Sequence, residues 1–296
     1  MQCGGPDPSS IALAVLGDPV AHSASPPMHN AALSHDGLPY SYVRLHISPA
    51  ELAEAIGLLG RLPVIGVNLT IPHKAAALSY LHHVDPHARQ LGVVNTIAFH
   101  EGSSRGFNTD APGLARAIQG EFQVRMGQCR TMIIGAGGGA GRAAAMQCVW
   151  EGCPSVILVN RTLSKAEALA RELKTLAASD SPDVCKSEVS CVSDHDPGLA
   201  DLLKQVDLVV QCSSLGMGDG DPSPLPAAAL HPGLLIYDTI YSRKTQLLID
   251  AQHAGARCAD GLSMLLHQGA LAFEIWFQRP APVQVMQEAL RKAVRH

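Results

Sequence analysis

Features that would assign the chain to a membrane, secreted or nucleic-acid-binding class are missing from its sequence. No apolar run among the 296 residues reaches the roughly 18 residues that a transmembrane helix needs. The first residues, MQCGGPDPSS, lack the charged and apolar regions of a signal peptide. The formal net charge of -4 provides no basic field to attract nucleic acid or an anionic membrane. We therefore expect a cytoplasmic protein without nucleic-acid or membrane partners.

Cysteine and histidine are present, but their spacing follows no metal-binding or disulfide pattern. None of the eight cysteines lies in a CxxC pair, as expected for scattered thiols in a reducing compartment. The densest histidine group, His82, His83 and His87, is interrupted by Asp85-Pro86, and proline would break a helical face of ligands. The sequence therefore predicts no bound metal.

The sequence does contain enough apolar material for two hydrophobic cores. Hydrophobic residues make up 47% of the chain and charged residues 16%, which is typical of a globular protein. Apolar, β-rich segments alternate with helical segments, a pattern that favours parallel sheets covered by helices. The predicted strands are 11–17, 40–45, 64–70, 93–99, 105–108, 131–134, 156–160, 189–192, 206–212 and 234–239. We predict two α/β domains, with the last helices returning to the first.

Residues that favour helix caps mark the starts of several predicted helices. Ser25-Pro26 fits a helix start, because serine accepts hydrogen bonds from free backbone N–H groups and proline fits the first turn. Ser48 and Glu51 have the spacing of a capping box. Ser164 is expected to cap a helix that ends before residues 177–186, which are polar and irregular and are interpreted as a surface loop.

A glycine-rich loop follows the buried strand predicted at 131–134. Its residues, Gly135-Ala136-Gly137-Gly138-Gly139, lead into a helix. Glycines at such a turn let the backbone approach a pyrophosphate, which the helix N-terminus attracts. Taken alone, the loop also fits a tight strand–helix turn that binds nothing.

The end of the next strand favours NADP over NAD. An NAD site usually carries an acidic residue there, which bonds the ribose 2′-hydroxyl. This chain has Asn160-Arg161-Thr162 instead, followed by Lys165. Cationic side chains suit a 2′-phosphate, which an aspartate would repel. Ordinary surface charge is the alternative explanation for Arg161.

Polar side chains follow the strands predicted in the first domain, where open α/β sheets place their ligands. Ser23 and Ser25 offer hydroxyls beside a helix start, which suits a carboxylate, although helix capping explains Ser25 equally well. Asn68-Leu69-Thr70-Ile71-Pro72-His73-Lys74 ends the third strand, and Val94-Asn95-Thr96 and Asn108-Thr109-Asp110 follow. A single lysine is usually an exposed surface residue without a function. Several amide, hydroxyl, amine and carboxylate side chains at successive strand ends instead indicate a binding site.

Taken together, these motifs resemble the shikimate dehydrogenase family from about residue 11 to residue 285. Near the end of the chain, Asp260-Gly261-Leu262-Ser263-Met264-Leu265-Leu266-His267-Gln268 is similar to the family's closing motif. The resemblance implies a substrate-binding domain with a mainly parallel sheet at 1–110, completed by helices at 262–296. It also implies a Rossmann NADP-binding domain at 111–261, with a cleft between the two domains.

The resemblance further implies an activity and a set of site residues. The activity is reversible reduction of 3-dehydroshikimate to shikimate with NADPH, a step of aromatic amino acid (chorismate) biosynthesis, by a monomer or homodimer. Lys74 and Asp110 would form the catalytic pair. The substrate-binding residues would be Ser23, Ser25, Asn68, Thr70, Asn95, Tyr241 and Gln268. The NADP-binding residues would be Gly135, Ala136, Gly137, Gly138, Gly139, Asn160, Arg161, Thr162, Lys165, Gly261 and Met264.

Three segments on the cofactor side differ from the usual family pattern. Arg142 follows the glycine loop one residue later than in the pattern Gly-x-Gly-Gly-x-x-Arg. Residues 211–217 read QCSSLGM where the family usually has Asn-x-Thr-Pro-x-Gly-Met. The loop after Tyr241 lacks the common proline and one residue.

Two other functions remain open at the level of sequence. One is a relative that acts on quinate or on both substrates. The two serines and the basic NADP motif favour shikimate over quinate by family analogy. The other is a non-catalytic Rossmann protein that senses a nucleotide or metabolite. The presence of both Lys74 and Asp110 argues against such a sensor.

Overall fold

The computed structural model describes residues 11–178 and 186–294. These residues form two compact units. The first contains the described residues up to Gly113 together with those from Leu265 onward, and the second is Leu114–Met264. Every helix in the described part of the chain is too short or too polar to span a bilayer. Most of the loop predicted at 177–186 lies outside the described residues.

The described residues of the first unit build one six-stranded mixed sheet. Its strands are β1 (Ile11–Gly17), β2 (Ser41–His46), β3 (Gly66–Leu69), β4 (His83–Val84), β5 (Thr96–His100) and β6 (Ser103–Phe107). They are ordered β2-β1-β3-β5-β6-β4, with β5 antiparallel to both of its neighbours and the other pairs parallel. Because β5 runs in the opposite direction, its first residue lies at the same sheet edge as the last residues of β3 and β6.

Helices cover this sheet through apolar side chains. The first five helices are α1 (Ser25–His35), α2 (Leu52–Leu59), α3 (His73–Ala76), α4 (Pro86–Leu91) and α5 (Asp110–Phe122). Leu52 and Ile56, one turn apart on α2, pack with Leu16, Val67 and Ile97 of the strands in one buried cluster. Burial of such side chains supplies most of the stabilisation of a fold of this kind.

The second unit is a parallel sheet with the Rossmann strand order. Its strands are β7 (Thr131–Ile134), β8 (Ser155–Val159), β9 (Glu188–Val192), β10 (Leu208–Gln211), β11 (Leu235–Asp238) and β12 (Arg257–Ala259). The spatial order β12-β11-β10-β7-β8-β9 reverses its winding direction between β7 and β10. At such a reversal a crevice opens outside the carboxyl ends of the strands. The short edge strand β12 lacks an apolar run, and the sequence pattern did not predict it.

Four helices flank the second sheet, and two more follow it. The flanking helices are α6 (Gly139–Glu151), α7 (Leu163–Ala177), α8 (Leu199–Leu203) and α9 (Gln246–His253), and α10 (Leu262–Phe277) and α11 (Val283–Val294) complete the described chain. From Leu265 onward these last helices belong to the first unit, where α11 packs against α1. Trp276 of α10 donates a hydrogen bond to the Ile97 carbonyl over 3.0 Å.

The helix starts differ from expectation at two serines. Helix α1 already includes Ser25, and no side chain caps it. Had Ser25 been the N-cap, its donors would have been the backbone N–H groups of Pro27 and Met28, and proline has none. Ser164 likewise lies inside α7 and does not cap it. The predicted capping roles of Ser25 and Ser164 were therefore wrong.

The predicted capping box at the start of α2 is present in part. The Glu51 carboxylate accepts hydrogen bonds from the Ser48 backbone N–H over 3.0 Å and from its hydroxyl over 2.6 Å. The regular helix begins only at Leu52, without a side-chain cap of its own. Glu51 therefore stabilises the turn that leads into α2.

Candidate active site

An ion pair between Lys74 and Asp110 lies at one edge of the first sheet. Lys74 is in the short helix α3, which follows β3, and Asp110 begins α5, just after β6. Lys74 Nζ is 2.7 Å from Asp110 Oδ2, and the two side chains are 32% and 18% exposed. The pair is therefore partly shielded from water but can be reached by a ligand.

Asn95 fixes the second oxygen of the same carboxylate. Its Nδ2 donates to Asp110 Oδ1 over 2.8 Å and to Thr109 Oγ1 over 3.0 Å. Its Oδ1 accepts a hydrogen bond from the Thr109 backbone N–H over 2.7 Å. The position of Asp110 at the N-terminus of α5 also favours a negative charge. The orientation of the carboxylate is thus determined from several directions.

Asn68 continues this network into the sheet. Its Nδ2 donates to the Asn95 carbonyl over 3.2 Å and to Thr96 Oγ1 over 3.0 Å. Its Oδ1 accepts a hydrogen bond from the Tyr42 hydroxyl over 2.7 Å. Both asparagines are buried. A continuous set of hydrogen bonds therefore leads from Tyr42 to the ion pair.

Two other predicted substrate residues, Thr70 and Gln268, lie near this edge. Thr70 follows β3, and its backbone N–H donates to the Leu16 carbonyl over 2.9 Å. Gln268 lies on α10 directly against Gly113, one turn along α5 from Asp110. Its Nε2 donates to the Leu265 carbonyl of its own helix over 2.7 Å.

Ser23 and Ser25 lie next to side chains of β2. The Ser25 backbone N–H donates to Ser23 Oγ over 3.3 Å. Arg44 donates from Nε and Nη2 to the Ser23 carbonyl over 3.0 Å and 2.6 Å. Burial raises the pKa of Tyr42 well above its ordinary value, against the opposing effects of its hydrogen bond with Ser25 and the charge of Arg44. The protonated Tyr42 hydroxyl donates to Asn68.

The sequence pattern did not identify Tyr42 or Arg44. They alternate along β2 with Val43 and Leu45 and so occupy the same face of the strand. The alternation indicates which side chains share a face. It does not indicate that this face meets the ends of β1 and β3.

In the second unit, an open cavity of about 970 Å³ lies at the ends of β7, β8 and β10. We call it the dinucleotide cavity. Of the predicted cofactor residues, it brings together Gly135, Gly137, Gly138, Asn160, Arg161, Thr162 and Lys165. Asp194 and His195, which follow β9, also line it, although no sequence motif indicated them.

Four other predicted cofactor residues are not among the described residues that line the dinucleotide cavity. Ala136 and Gly139 belong to the glycine loop itself. Gly261 lies against the Thr239 backbone, and Met264 donates its backbone N–H to the Tyr237 hydroxyl over 2.9 Å. Tyr241, predicted to bind substrate, also belongs to this unit.

Asn160 couples the glycine loop to the cationic turn. Its Oδ1 accepts a hydrogen bond from the Gly137 backbone N–H over 3.0 Å, and its Nδ2 donates to the Thr162 carbonyl over 2.8 Å. Gly135 has a φ of 78° and leaves no space for a side chain beside Ser213. The exposed backbone at the start of α6 and the side chains of Arg161 and Lys165 fit a phosphorylated dinucleotide.

The segment that differs from the family pattern after β10 satisfies its own hydrogen bonds. Gln211 Nε2 donates to Ser213 Oγ over 2.9 Å and to the Leu215 carbonyl over 2.8 Å. Its Oε1 accepts from the Ser213 backbone N–H over 3.0 Å. Glutamine and serine therefore stabilise this turn in place of the usual asparagine and threonine.

The other two departures are also accommodated. Arg142 forms a bidentate pair with Glu172 of α7, with both N–O distances 2.6 Å. In the shortened loop after Tyr241, Thr245 donates to Asp238 Oδ2 over 2.7 Å and caps α9. These contacts keep both segments ordered.

Comparisons with known proteins match nearly the whole chain. The model of the shikimate dehydrogenase substrate binding domain matches residues 15–97, that of shikimate / quinate 5-dehydrogenase matches 115–186, and that of the shikimate 5'-dehydrogenase C-terminal domain matches 261–291. The shikimate dehydrogenase (NADP(+)) of Symbiobacterium thermophilum is 41% identical, over 95% of this chain and 94% of that protein.

Solved structures agree with this assignment. Shikimate 5-dehydrogenase from Thermus thermophilus, in complex with NADP(H) and shikimate, is 36% identical with a TM-score of 0.83, over 96% of this chain and 99% of that one. The enzyme from Listeria monocytogenes, in complex with shikimate and NAD, is 28% identical with a TM-score of 0.87, over 96% and 97% of the two chains. The predicted α/β class and the family resemblance are confirmed: the chain belongs to the shikimate dehydrogenase family.

Proposed function

We propose that this chain catalyses the NADP-dependent, reversible reduction of 3-dehydroshikimate to shikimate, a step of aromatic amino acid (chorismate) biosynthesis. The observation that carries the proposal is the Lys74–Asp110 ion pair, held by Asn95 at an accessible sheet edge. It occurs in a chain 41% identical to a shikimate dehydrogenase (NADP(+)).

Substrate binding is assigned to the first unit, and Tyr241 of the second unit stays a predicted substrate-binding residue. The hydroxyls of Ser23 and Ser25 take up the carboxylate of the substrate. The groups that bind the ring hydroxyls are Asn68, Thr70, Lys74, Asn95, Asp110 and Gln268. Support for this assignment comes from the common position of most of these residues at one edge of the first sheet.

NADP binding is assigned to the second unit. The backbone of Gly135–Gly139 at the start of α6 would hold the pyrophosphate, because free N–H groups and the helix dipole attract anions. Arg161 and Lys165 would bind the 2′-phosphate, with Asn160 and Thr162 shaping the turn. Gly261 and Met264 remain predicted cofactor contacts outside the dinucleotide cavity.

In the reaction, bound NADPH supplies the hydride that the carbonyl carbon accepts. The Lys74 ammonium stabilises the negative charge that develops on the carbonyl oxygen and then donates a proton to it. Asp110 holds the ammonium and accepts a hydrogen bond from a ring hydroxyl. In the oxidation direction, neutral Lys74 accepts the proton. Because Asn95 and α5 fix Asp110, the reacting groups are oriented before the substrate binds.

The two alternative functions are not favoured. A non-catalytic sensor would not require the ordered Lys74–Asp110–Asn95 arrangement. A quinate-specific enzyme finds no specific support in the site. The cytoplasmic location and the monomeric or homodimeric state remain predictions.

Steady-state kinetics with shikimate and quinate, each with NADP and NAD, test the proposal directly. We expect the highest kcat/KM for shikimate with NADP, and formation of one 3-dehydroshikimate per NADPH. A mock preparation from host cells that do not express this chain serves as the blank for contaminating activity. A higher kcat/KM with quinate, or binding of both ligands without turnover, would contradict the proposal.

A further inference from the structure

The guanidinium of Arg44 carries a charge that no carboxylate neutralises among the described residues. Arg44 Nε and Nη2 both donate hydrogen bonds to the Ser23 carbonyl. Four described arginines pair with a carboxylate, in Arg130–Asp207, Arg142–Glu172, Arg243–Asp219 and Arg279–Asp36, whereas Arg44, like Arg105, does not. A guanidinium has five N–H donors, so Arg44 keeps donors for a further anion.

The nearby charged groups do not give Arg44 a carboxylate partner. Lys74 is neutralised by Asp110 at 2.7 Å. The acidic residue of the loop after β1, Asp18, is bound by His46 over 2.8 Å rather than by Arg44. An anionic group that reaches Ser23 therefore meets, in Arg44, a guanidinium that no described carboxylate pairs with.

Arg44 also fixes the backbone that presents the two serine hydroxyls. Arg44 donates two hydrogen bonds to the Ser23 carbonyl, and Ser23 Oγ accepts a hydrogen bond from the Ser25 backbone N–H. Tyr42, two residues earlier on the same face of β2, donates its hydroxyl to Asn68. Loss of Arg44 would therefore remove a charge and also loosen the Ser23 backbone.

We propose that Arg44 is a specificity-determining residue that selects a carboxylate substrate, both by its charge and by positioning Ser23. The inference rests on the proposed function, in which Ser23 and Ser25 take up the substrate carboxylate. The recognised class is a small polyhydroxylated ring acid, and an uncharged polyol or ester of similar shape gains nothing from the charge of Arg44.

The test compares Arg44→Gln, which keeps a donor but loses the charge, with Arg44→Lys, which keeps the charge. KM and kcat are measured for shikimate and for its uncharged methyl ester at several salt concentrations. For Arg44→Gln we expect KM for shikimate to rise about 10-fold with kcat changed less than about 2-fold, and a weaker salt dependence of kcat/KM. Arg44→Lys should recover part of this loss.

The methyl ester separates charge recognition from loop structure. Arg44→Gln should lose much less kcat/KM with the ester than with shikimate, because the ester is affected only through the position of Ser23 and not through the charge. An equal loss for acid and ester would mean that Arg44 acts only on the fold and would overturn the proposal. Arg105→Gln is the matched control, because Arg105 is an exposed strand arginine of the same unit that lies over Phe107.

The outcomes also distinguish this inference from the proposed function. If wild type oxidises shikimate and Arg44→Gln matches it in KM, only the role of Arg44 is refuted. If calorimetry detects no binding of shikimate to wild type and wild type does not oxidise it, the proposed function is refuted as well. Should Arg44→Gln fail to fold, a salt-independent wild-type kcat/KM would still refute the charge role.

Discussion

Lys74 and Asp110, 36 residues apart in sequence, meet with a distance of 2.7 Å between Nζ and Oδ2. They meet because β3 and β6 run in the same direction on either side of the antiparallel β5. Asn95, just before β5, lies between them and binds the other oxygen of Asp110. The pair is therefore a product of the sheet topology and not of local sequence.

The first prediction concerns this pair. Lys74→Met should lower turnover by roughly 10³-fold, because it removes charge stabilisation and a proton donor, while substrate binding stays within about 10-fold. Asp110→Asn should also be severely impaired, and the double variant should lose far less than the product of the two effects, because the residues act as a unit. Pre-steady-state and steady-state kinetics measure these losses.

The control for this prediction is a second lysine–aspartate pair. Lys204 binds Asp201 over 2.8 Å on the surface of the second unit. Lys204→Met should leave turnover unchanged. Wild-type turnover in Lys74→Met, accompanied only by lower thermal stability, would identify the Lys74–Asp110 pair as structural.

The second prediction concerns cofactor choice. Arg161→Ala should weaken NADP binding by about 10- to 100-fold, because charge-assisted hydrogen bonds to the 2′-phosphate are lost, and should affect NAD much less. Dissociation constants from fluorescence or calorimetric titration measure the ratio. Arg171→Ala, an exposed arginine on α7, should change neither constant. An equal loss for both cofactors would exclude a role for Arg161 at the 2′-phosphate.

Much of the fold could be predicted from the sequence, because alternating apolar segments specify an α/β class. The strand at Thr131–Ile134 was predicted with its observed bounds. Strand β12 was missed, since a three-residue edge strand with an exposed Arg257 has no apolar run. Ser25 was wrongly predicted to be a cap, since it lies inside α1 and the Pro27 nitrogen carries no hydrogen to donate to it.

The chemistry-bearing side chains were more predictable than the residues that support them. Lys74 and Asp110 belong to recognisable motifs at strand ends. Tyr42 and Arg44 belong to none, and their importance arises from the way β2 lies beside β1 in the sheet. Such contacts depend on tertiary packing, which a local pattern does not encode.

The third prediction concerns Tyr42, which is 2% exposed and donates to Asn68 Oδ1. Tyr42→Phe leaves a buried acceptor unsatisfied and should lower the free energy of unfolding by about 1–3 kcal/mol. Because Asn68 also orients Asn95, kcat/KM should fall by about 10-fold. Tyr40→Phe, which alters a more exposed ring stacked on Phe277, should change neither quantity. An unchanged kcat/KM in Tyr42→Phe would show that Tyr42 does not support the Lys74–Asp110 site.

The last prediction concerns the buried His29, whose ring stacks on Tyr42 with centroids 4.3 Å apart. Among the described residues, neither ring nitrogen of His29 has a hydrogen-bond partner. Burial lowers the pKa of His29 from 6.5 to about 3. The imidazole therefore stays neutral in the folded protein at pH values where the unfolded chain binds a proton.

This difference predicts how stability depends on pH. The contribution of neutral His29 is complete above about pH 6.5 and is lost as the pH falls toward 3, because unfolding then takes up a proton. Between pH 7 and pH 5 the loss should be roughly 2 kcal/mol. His29→Phe keeps the ring stack on Tyr42 but cannot take up a proton, so it should lack this part of the acid sensitivity.

Denaturant unfolding can measure this effect in the first unit alone. The chain has two tryptophans, and in a Trp150→Phe background Trp276, whose ring centroid is 5.4 Å from that of His29, becomes the fluorescent reporter. The stability difference between wild type and His29→Phe should then shift in favour of the variant as the pH falls from 7 to 5. His100→Gln, a change at an exposed histidine of the same unit, should retain the wild-type pH dependence. Parallel pH profiles for wild type and His29→Phe would show that His29 binds no additional proton on unfolding.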